Sequence, residues 1–425
     1  MRTKVKKAYK TELKPGKAQK ALLANHAGAA RFAYNWGLVR KVESYQLTGK
    51  SPSAIDLHRE LNSLKKTEYP WMYEVSKCAP QEALRDLDRA FSNFFHRVKA
   101  KKEGKHNGKV GFPRLKSRRR GLGSFRLTGS IRAEERRIRL PRLGWIRLKE
   151  SGYLPVDGTD GVHILSATVS ERAGRWFVSL QVEQEMETEP AGGEPVGVDL
   201  GVTTLATCSD GERHENPGAL KRCARKLARL QRKISRQEKG SARRDDTRKR
   251  IANLHYRISS IRSDAIHKAT STVLAKAKPP GMRPSVVVVE DLDVSGMMKN
   301  HCLAGAVADA SMREFRRQLA YKCSWYGCEL MTADRFFPSS KTCSSCGAVK
   351  EELKLSDRTY CCAVCGLVLD RDQNAARNLV MLAASSAERL NARGEDVRPA
   401  RESGRTPVKR EPKVDSFLCF GERFR

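Results

Sequence analysis

From residue 3 to residue 14 apolar and basic side chains alternate, then stop at Pro15-Gly16, which predicts one strand and a turn. From Ala18 to about Val42 the period changes: Leu22, Leu23, Phe32, Trp36 and Val39 recur at mostly helical spacing. A helix pair follows. Pro80 is a favourable first residue for another helix, which places Leu84, Leu87, Phe91, Phe94 and Phe95 on one broad stripe. That stripe reads as core, with stacking on bases as the alternative use of its aromatics. Between Ser124 and about Glu183, β-branched and aromatic residues alternate with polar ones and are punctuated by Gly and Pro. This predicts a small β-barrel or sheet, which the 3–14 strand joins.

The pattern changes at METEPAGGEP, a linker placed at 187–195, and a new domain begins with VGVDLGVTTLAT. Its apolar alternation predicts a β-hairpin with Asp199 embedded in the first strand. An unpaired buried charge is costly, so a cationic partner for Asp199 is expected. Leu227, Leu230 and Ile234, then Ile251, Leu254, Ile258 and Ile261, fall on helical stripes and predict a hairpin of two long amphipathic helices. The run Pro284-Ser-Val-Val-Val-Val-Glu290-Asp291-Leu292 is too continuously apolar for a half-exposed strand and predicts a central buried one ending in acids. A helix around 311–325 and a strand at 327–333 follow.

Charge adds a partner to this layout. The 425 residues hold 82 Lys and Arg against 48 Asp and Glu, a formal net charge of +34. Such a field opposes compaction unless a polyanion neutralises it, so nucleic acid is the expected partner. The surplus is concentrated. Residues 97–120 carry eleven Lys and Arg and one acid, Glu103, with glycines between them, and predict a basic loop; residues 219–250 carry fourteen against three acids. An anionic membrane surface is the weaker rival: there is no apolar run of the roughly eighteen residues a membrane helix needs, and no secretory core near the first residue. A reducing cytoplasm or nucleoid is therefore expected for a chain with twelve cysteines.

Four of those cysteines form two Cys-x-x-Cys knuckles, Cys343/Cys346 and Cys362/Cys365, fifteen residues apart and each followed by glycine. Two knuckles can present four thiolates to one tetrahedral structural Zn²⁺, leaving Cys361 as a spare thiol; disulfides or buried thiols are the alternative. Directly afterwards, Asp370-Arg371-Asp372-Gln373-Asn374-Ala375-Ala376 opens a helical run, where an acid can be an N-cap or a functional group. Asp199, Glu290 and Asp372 together make a discontinuous acidic triad. Oxygen ligands in that number suit Mg²⁺ or Mn²⁺, and two such ions about 4 Å apart can activate water and stabilise a leaving 3′ oxygen. No HExxH or P-loop motif is present, which leaves metal-dependent phosphodiester hydrolysis.

The segments VGVDLGVTTLAT, RSDAIHKATSTVL, VVVVEDLDVSGMMKN, ADRFFPSSKTCSSCG and LDRDQNAARN resemble the TnpB family of transposon-encoded RuvC-like nucleases, relatives of the compact type V CRISPR effectors. The resemblance continues through LKPGKAQKALLANHAGAARFAYNWGL, YEVSKCAPQEALRDLDRAF and VGFPRLKSRRR, and so covers about residues 3–385. It implies an α/β multidomain chain, in which an RNase H-like RuvC nuclease domain with an inserted zinc ribbon follows a small β-barrel interrupted by a helical recognition domain.

The implied boundaries are 1–17 for the first barrel strand, 18–115 for the recognition domain, 116–186 for the rest of the barrel, and 196–338 for RuvC with its basic hairpin at 217–278. The ribbon is 339–368 and the last helix 369–392; the tail 393–425 lies outside the resemblance and mixes Arg, Glu, Pro and Gly without periodicity, which predicts disorder. The resemblance also implies cleavage of double-stranded DNA beside a short adjacent motif, directed by a guide RNA from the transposon end. Asp199, Glu290 and Asp372 would be the catalytic metal ligands, Asp372 being chosen over Asp370 because the family acid stands two residues before Asn-Ala-Ala. Two rivals remain open: a transposase acting directly on element ends, and a non-cleaving nucleic-acid-binding regulator.

Overall fold

The opening alternation forms one long strand, β1 (Arg2–Lys14), in a computed structural model that describes residues 2–106, 108–118, 121–156, 161–187, 189–354 and 356–393. Three helices interrupt the sheet that β1 starts: α1 (Lys17–Thr48), α2 (Ala54–Leu64) and α3 (Cys78–Lys102). Ser53 caps α2, accepting from the Asp56 backbone N–H at 3.3 Å while the Asp56 carboxylate accepts from the Ser53 N–H at 3.1 Å. The third helix starts two residues ahead of Pro80, whose missing N–H costs nothing in a first turn. At its other end it runs to Lys102, so the first six residues of the expected basic loop at 97–120 are helical.

The chain then returns to the sheet as β2 (Ser124–Leu127), β3 (Arg132–Ala133), β4 (Arg137–Leu140), β5 (Gly144–Leu148), β6 (His163–Arg172) and β7 (Arg175–Glu187). All pairs are antiparallel, in the order β2-β6-β7-β1-β5-β4-β3. One apolar face of this sheet and the inner faces of α1 to α3 share a single core that includes Leu23, Leu57, Leu84, Val178 and Leu180.

A second sheet begins at β8 (Val196–Asp199), continues through β9 (Thr204–Cys208) and β10 (Arg213–Glu215), and leads into a helical hairpin of α4 (Ala219–Ser235) and α5 (Ala242–Val273). The valine run is β11 (Val286–Glu290), followed by α6 (Val294–Met297), α7 (Ala304–Ala310), α8 (Met312–Tyr326) and β12 (Glu329–Ala333). That last strand starts two residues later than its apolar pattern suggests, because Gly327 takes a positive φ of 71° to close α8. Two short strands, β13 (Thr359–Cys361) and β14 (Val368–Asp370), pair ahead of the final helix, α9 (Arg371–Arg393).

The order of this sheet is β10-β9-β8-β11-β12, with β9 antiparallel to both of its neighbours and β8, β11 and β12 mutually parallel. Both faces of β11 are covered, which is why four valines stand in a row. Val287 and Val289 pack with Ile266 and Val273 of α5 and Phe315 and Leu319 of α8. Val288 faces the other way, onto Leu379 and Ala383 of α9.

The chain divides into two units, Met1–Ala383 and Ala384–Arg425. Of the second, only helical residues through Arg393 are described; the expected tail beyond Arg393 lies outside the described residues. No described helix is long and apolar enough to cross a membrane.

Candidate active site

Asp199 and Glu290 are the last residues of neighbouring parallel strands. The register pairs Val198 with Val289, so the two acids follow side by side at the carboxyl ends of β8 and β11, where adjacent strands lie about 4.8 Å apart. Open parallel sheets expose functional groups at this edge. Alternation then fixes which way the acids point: Glu290 shares the face of Val288, and Asp199 the face of Gly197, and Val288 packs on α9.

Gly197 sets the distance. A Cβ there would lie 2.0 Å from the Ala376 carbonyl oxygen and 3.0 Å from Leu379 Cβ, so α9 runs against the bare strand backbone. Asp372 sits one helical turn before Ala376 on that helix and therefore reaches the same strand ends. The electrostatics agree with this meeting. Burial pushes the Asp199 carboxyl well above the usual carboxylate range, and the Glu290 and Asp372 carboxylates push it the same way, only partly offset by Arg371.

The expected cationic pairing of Asp199 does not form: among the described residues it makes no ion pair, and Arg371 only partly offsets the acids around it. The reason is chemical. Half-buried carboxylates on rigid strand ends are donors of the kind a divalent cation takes, and a lysine or arginine among them would compete for the same oxygens. The N-cap role falls to Asp370, not Asp372. Its Oδ1 accepts from the backbone N–H groups of Asp372 at 3.0 Å and Gln373 at 3.1 Å, and Arg213 holds its other oxygen at 3.1 Å. Asp372 is thereby free to project from the first turn.

A supporting layer around Glu290 has only a faint sequence signal. The buried Ser339 donates its hydroxyl to Glu290 Oε1. Ser339 is itself held, its carbonyl accepting from Asn378 Nδ2 at 2.7 Å. Asn378 and Asn374 both donate to the Thr342 carbonyl at 2.7 Å, and Asn374 Oδ1 accepts from the Ser344 N–H at 3.0 Å. Two buried asparagines four residues apart on an otherwise apolar helix face were the available hint. On the other flank, Asp291 is gripped by Arg316 at 2.7 Å and Arg335 at 2.8 Å, which keep its carboxyl below the usual range.

The cysteine segment forms a compact cluster joined to this layer. The Sγ atoms of Cys343, Cys346, Cys362 and Cys365 all lie within 4.8 Å of one another. The two knuckles have matching backbones: Gly347 N–H donates to the Cys343 carbonyl at 3.0 Å and Gly366 N–H to Cys362 at 3.1 Å, with φ of 75° and 70°. Backbone N–H groups of Cys365 and Val364 draw the Cys362 thiol down, while the neighbouring thiols hold Cys346 up, so without a cation the four sulfurs share protons. Cys361 is exposed and outside the cluster. The donor set fits tetrahedral Zn²⁺.

Comparison with known proteins extends these observations. Residues 168–301 match a family model described as "Probable transposase", and residues 313–379 one described as "Cas12f1-like, TNB domain". Residues 1–50 match one described as "Helix-turn-helix domain", although that stretch is a strand and one unbroken helix, β1 and α1. The chain is 39% identical over 420 residues to a "Putative RNA-guided DNA endonuclease" of Streptomyces pristinaespiralis, covering 97% of this chain and 98% of that one. It is 34% identical to "Putative RNA-guided DNA endonuclease InsQ" of Escherichia coli (strain K12), covering 95% and 97% respectively. The solved Cas12f1-sgRNA-target DNA complex contains a chain of similar fold, with a TM-score of 0.52 at 14% identity, covering 86% of this chain and 83% of that one. With relatives this similar along nearly its whole length, the chain belongs to the TnpB family.

Proposed function

We propose that this protein is an RNA-guided DNA endonuclease that hydrolyses phosphodiester bonds of double-stranded DNA at the site formed by Asp199, Glu290 and Asp372. The observation that carries the reading is that Glu290, beside it on the neighbouring parallel strand, and Asp372 of α9 both act with burial to raise the Asp199 carboxyl, while Asp199 forms no salt bridge among the described residues. Two Mg²⁺ or Mn²⁺ ions held there would supply an activated water and stabilise charge on the leaving 3′ oxygen. The chain's own residues do the rest. Asp199 and Glu290 are fixed by strands and Asp372 by a capped helix, so the ligand oxygens are pre-positioned. Ser339 holds the Glu290 carboxylate by its hydroxyl, and Asn374 and Asn378 hold the segment that carries Ser339.

The five-stranded sheet with α4 to α9 is the RNase H-like RuvC domain on this reading, and the seven-stranded sheet is the β-barrel into which α1 to α3 insert as a recognition domain. The four cysteines bind a structural Zn²⁺ within a ribbon at 339–368. Residues 97–120 and the α4–α5 hairpin meet phosphates of the guide RNA, transcribed from the transposon end, and of its heteroduplex. No second nuclease insertion is evident in the sequence, so a single site would cut both strands in turn.

The test begins with expression beside the native flanking DNA, purification, and sequencing of co-purified RNA. A defined RNA that directs Mg²⁺-dependent cleavage of a matching plasmid is the expected result. Cleavage of element ends without RNA would replace this reading with direct transposition, and RNA binding without cleavage would replace it with regulation.

A further inference from the structure

The aromatic stripe of α3 leaves the core before the helix ends. Leu84 and Leu87 are fully buried, and Phe91 packs against the same core. Beyond it the rings gather on themselves. Phe112, from the segment after the helix, meets Phe91 and Phe94 edge to face with ring centroids 5.4 Å apart in each case, and Phe94 meets Phe95 at 5.2 Å. Phe95 is nevertheless 60% exposed and Phe112 48% exposed. Mutual edge contacts hold the rings in place, yet one side of the cluster is open to solvent, which marks an interaction surface.

The surrounding charge identifies what the surface takes. Helical spacing carries the face of Phe94 and Phe95 through Val98 to Lys101 and Lys102. The single acid of the region, Glu103, is engaged by Lys99 at 3.9 Å and Lys105 at 2.9 Å. Arg97, Lys101, Lys102, Lys109 and Arg114 are exposed and form no ion pair among the described residues. The same patch of a second copy would bring the same cations, with its one acid, Glu103, already engaged. A nucleic-acid strand brings a flat π-face with each base and a phosphate beside it, and pairing aromatic platforms with cationic walls is how single strands are held without sequence preference.

We propose that Phe95 and Phe112 form a stacking platform for an unpaired base of a single-stranded nucleic acid, whose backbone is held by Arg97, Lys101, Lys102, Lys109 and Arg114. This rests on the reading of the chain as a nucleic-acid-binding protein, and it locates one base contact within that reading. The platform tolerates any base, because the rings offer no hydrogen-bonding edge.

The test uses full-length protein freed of co-purified nucleic acid in high salt, then titrated with fluorescein-labelled 12-nucleotide strands without divalent cation. One strand carries thymine at every position and the other is abasic at the same length and charge. The parent should prefer the base-bearing strand by about 5- to 150-fold, the range for one stacked base. Phe95→Ala and Phe112→Ala should reduce that preference while binding of the abasic strand stays put, and Phe95→Trp should restore it. Lys101→Gln with Lys102→Gln should instead weaken both strands equally and flatten the salt dependence by about 1.4 in log–log slope. Melting curves of each variant separate lost stacking from lost folding. Equal binding of the two strands by the parent, or a preference that survives Phe95→Ala, would overturn the platform. A parent dimer that Phe95→Ala dissociates would assign the surface to a second copy. Failure of cleavage with the base preference intact would overturn the nuclease reading and leave the platform standing.

Discussion

Replacing Gly197 by alanine tests whether the last helix sets the acidic site. The new Cβ would stand 2.0 Å from the Ala376 carbonyl oxygen and 3.1 Å from its carbonyl carbon, whereas non-bonded heavy atoms rest at roughly 3.5 Å, so strand and helix must part by more than about 1 Å. The obstacle is backbone, which no rotamer change relieves, placing the cost at the upper end of overpacking, about 3 kcal/mol. Activity should suffer more than stability. Asp372 is one turn from the contact and moves with it, and a misplacement of about 1 Å at a reacting centre is worth on the order of a hundredfold in rate. The assay is single-turnover cleavage of guide-matched DNA with a melting curve on the same preparation. Gly305→Ala is the control, because a Cβ there meets nothing within 4 Å. Gly197→Ala cleaving within about threefold of the parent, at unchanged Tm, would refute the idea that this contact positions Asp372.

Three further outcomes follow from the same geometry. The raised Asp199 value means that the folded chain holds this proton more tightly than the unfolded chain, so the associated stability is present at acid pH and lost as pH rises through the raised value. Asp199→Asn should therefore raise the Tm of divalent-free protein at pH 8 and give no gain near pH 4, and a gain that grows toward acid pH would contradict this. Ser339→Ala removes the hydroxyl that holds Glu290 and should raise the Mg²⁺ concentration needed for half-maximal cleavage by about 10- to 100-fold, with Ser339→Thr recovering most of it; an unchanged Mg²⁺ curve would count against the contact. Cys362→Ser should release Zn²⁺, measured by a colorimetric chelator, and lower activity as well, because Ser339, Thr342 and Ser344 connect the cluster to α9 and Glu290. Zinc loss with full activity would uncouple the two.

Much of the local structure was legible because it follows from period and composition. The alternation of 3–14 is a strand, the unbroken valines are a doubly covered one, and the paired knuckles are a four-thiol cluster. Depth and distance were not legible. The α3 stripe names one face, but nothing local says that Leu84 is sealed while Phe95 is open, since that depends on where α1 and the first sheet stop. The acids stood out as carboxylates at strand and helix ends, yet their neighbourhood depends on a register between strands some ninety residues apart and on a helix lying on Gly197. The expected cationic partner for Asp199 failed for the same reason: a local cost argument cannot see two other acids arriving from elsewhere in the chain. Ser339 went unmarked because a serine near a metal knuckle looks like an ordinary turn residue, and Asn374 and Asn378 stood in the matched segment LDRDQNAARN with nothing local to say that they tie α9 to Thr342.

The central claim is that Asp199, Glu290 and Asp372 act as one divalent-cation site for DNA cleavage. Its most direct test is the single-turnover rate on guide-matched DNA, across a Mg²⁺ titration, for Asp199→Asn, Glu290→Gln and Asp372→Asn beside Asp370→Asn. The first three should each lose at least about a hundredfold in rate at saturating Mg²⁺. Asp370→Asn, which keeps an oxygen to cap α9, should stay within about tenfold of the parent. Near-parental cleavage by any of the three, or loss confined to Asp370→Asn, would contradict the account.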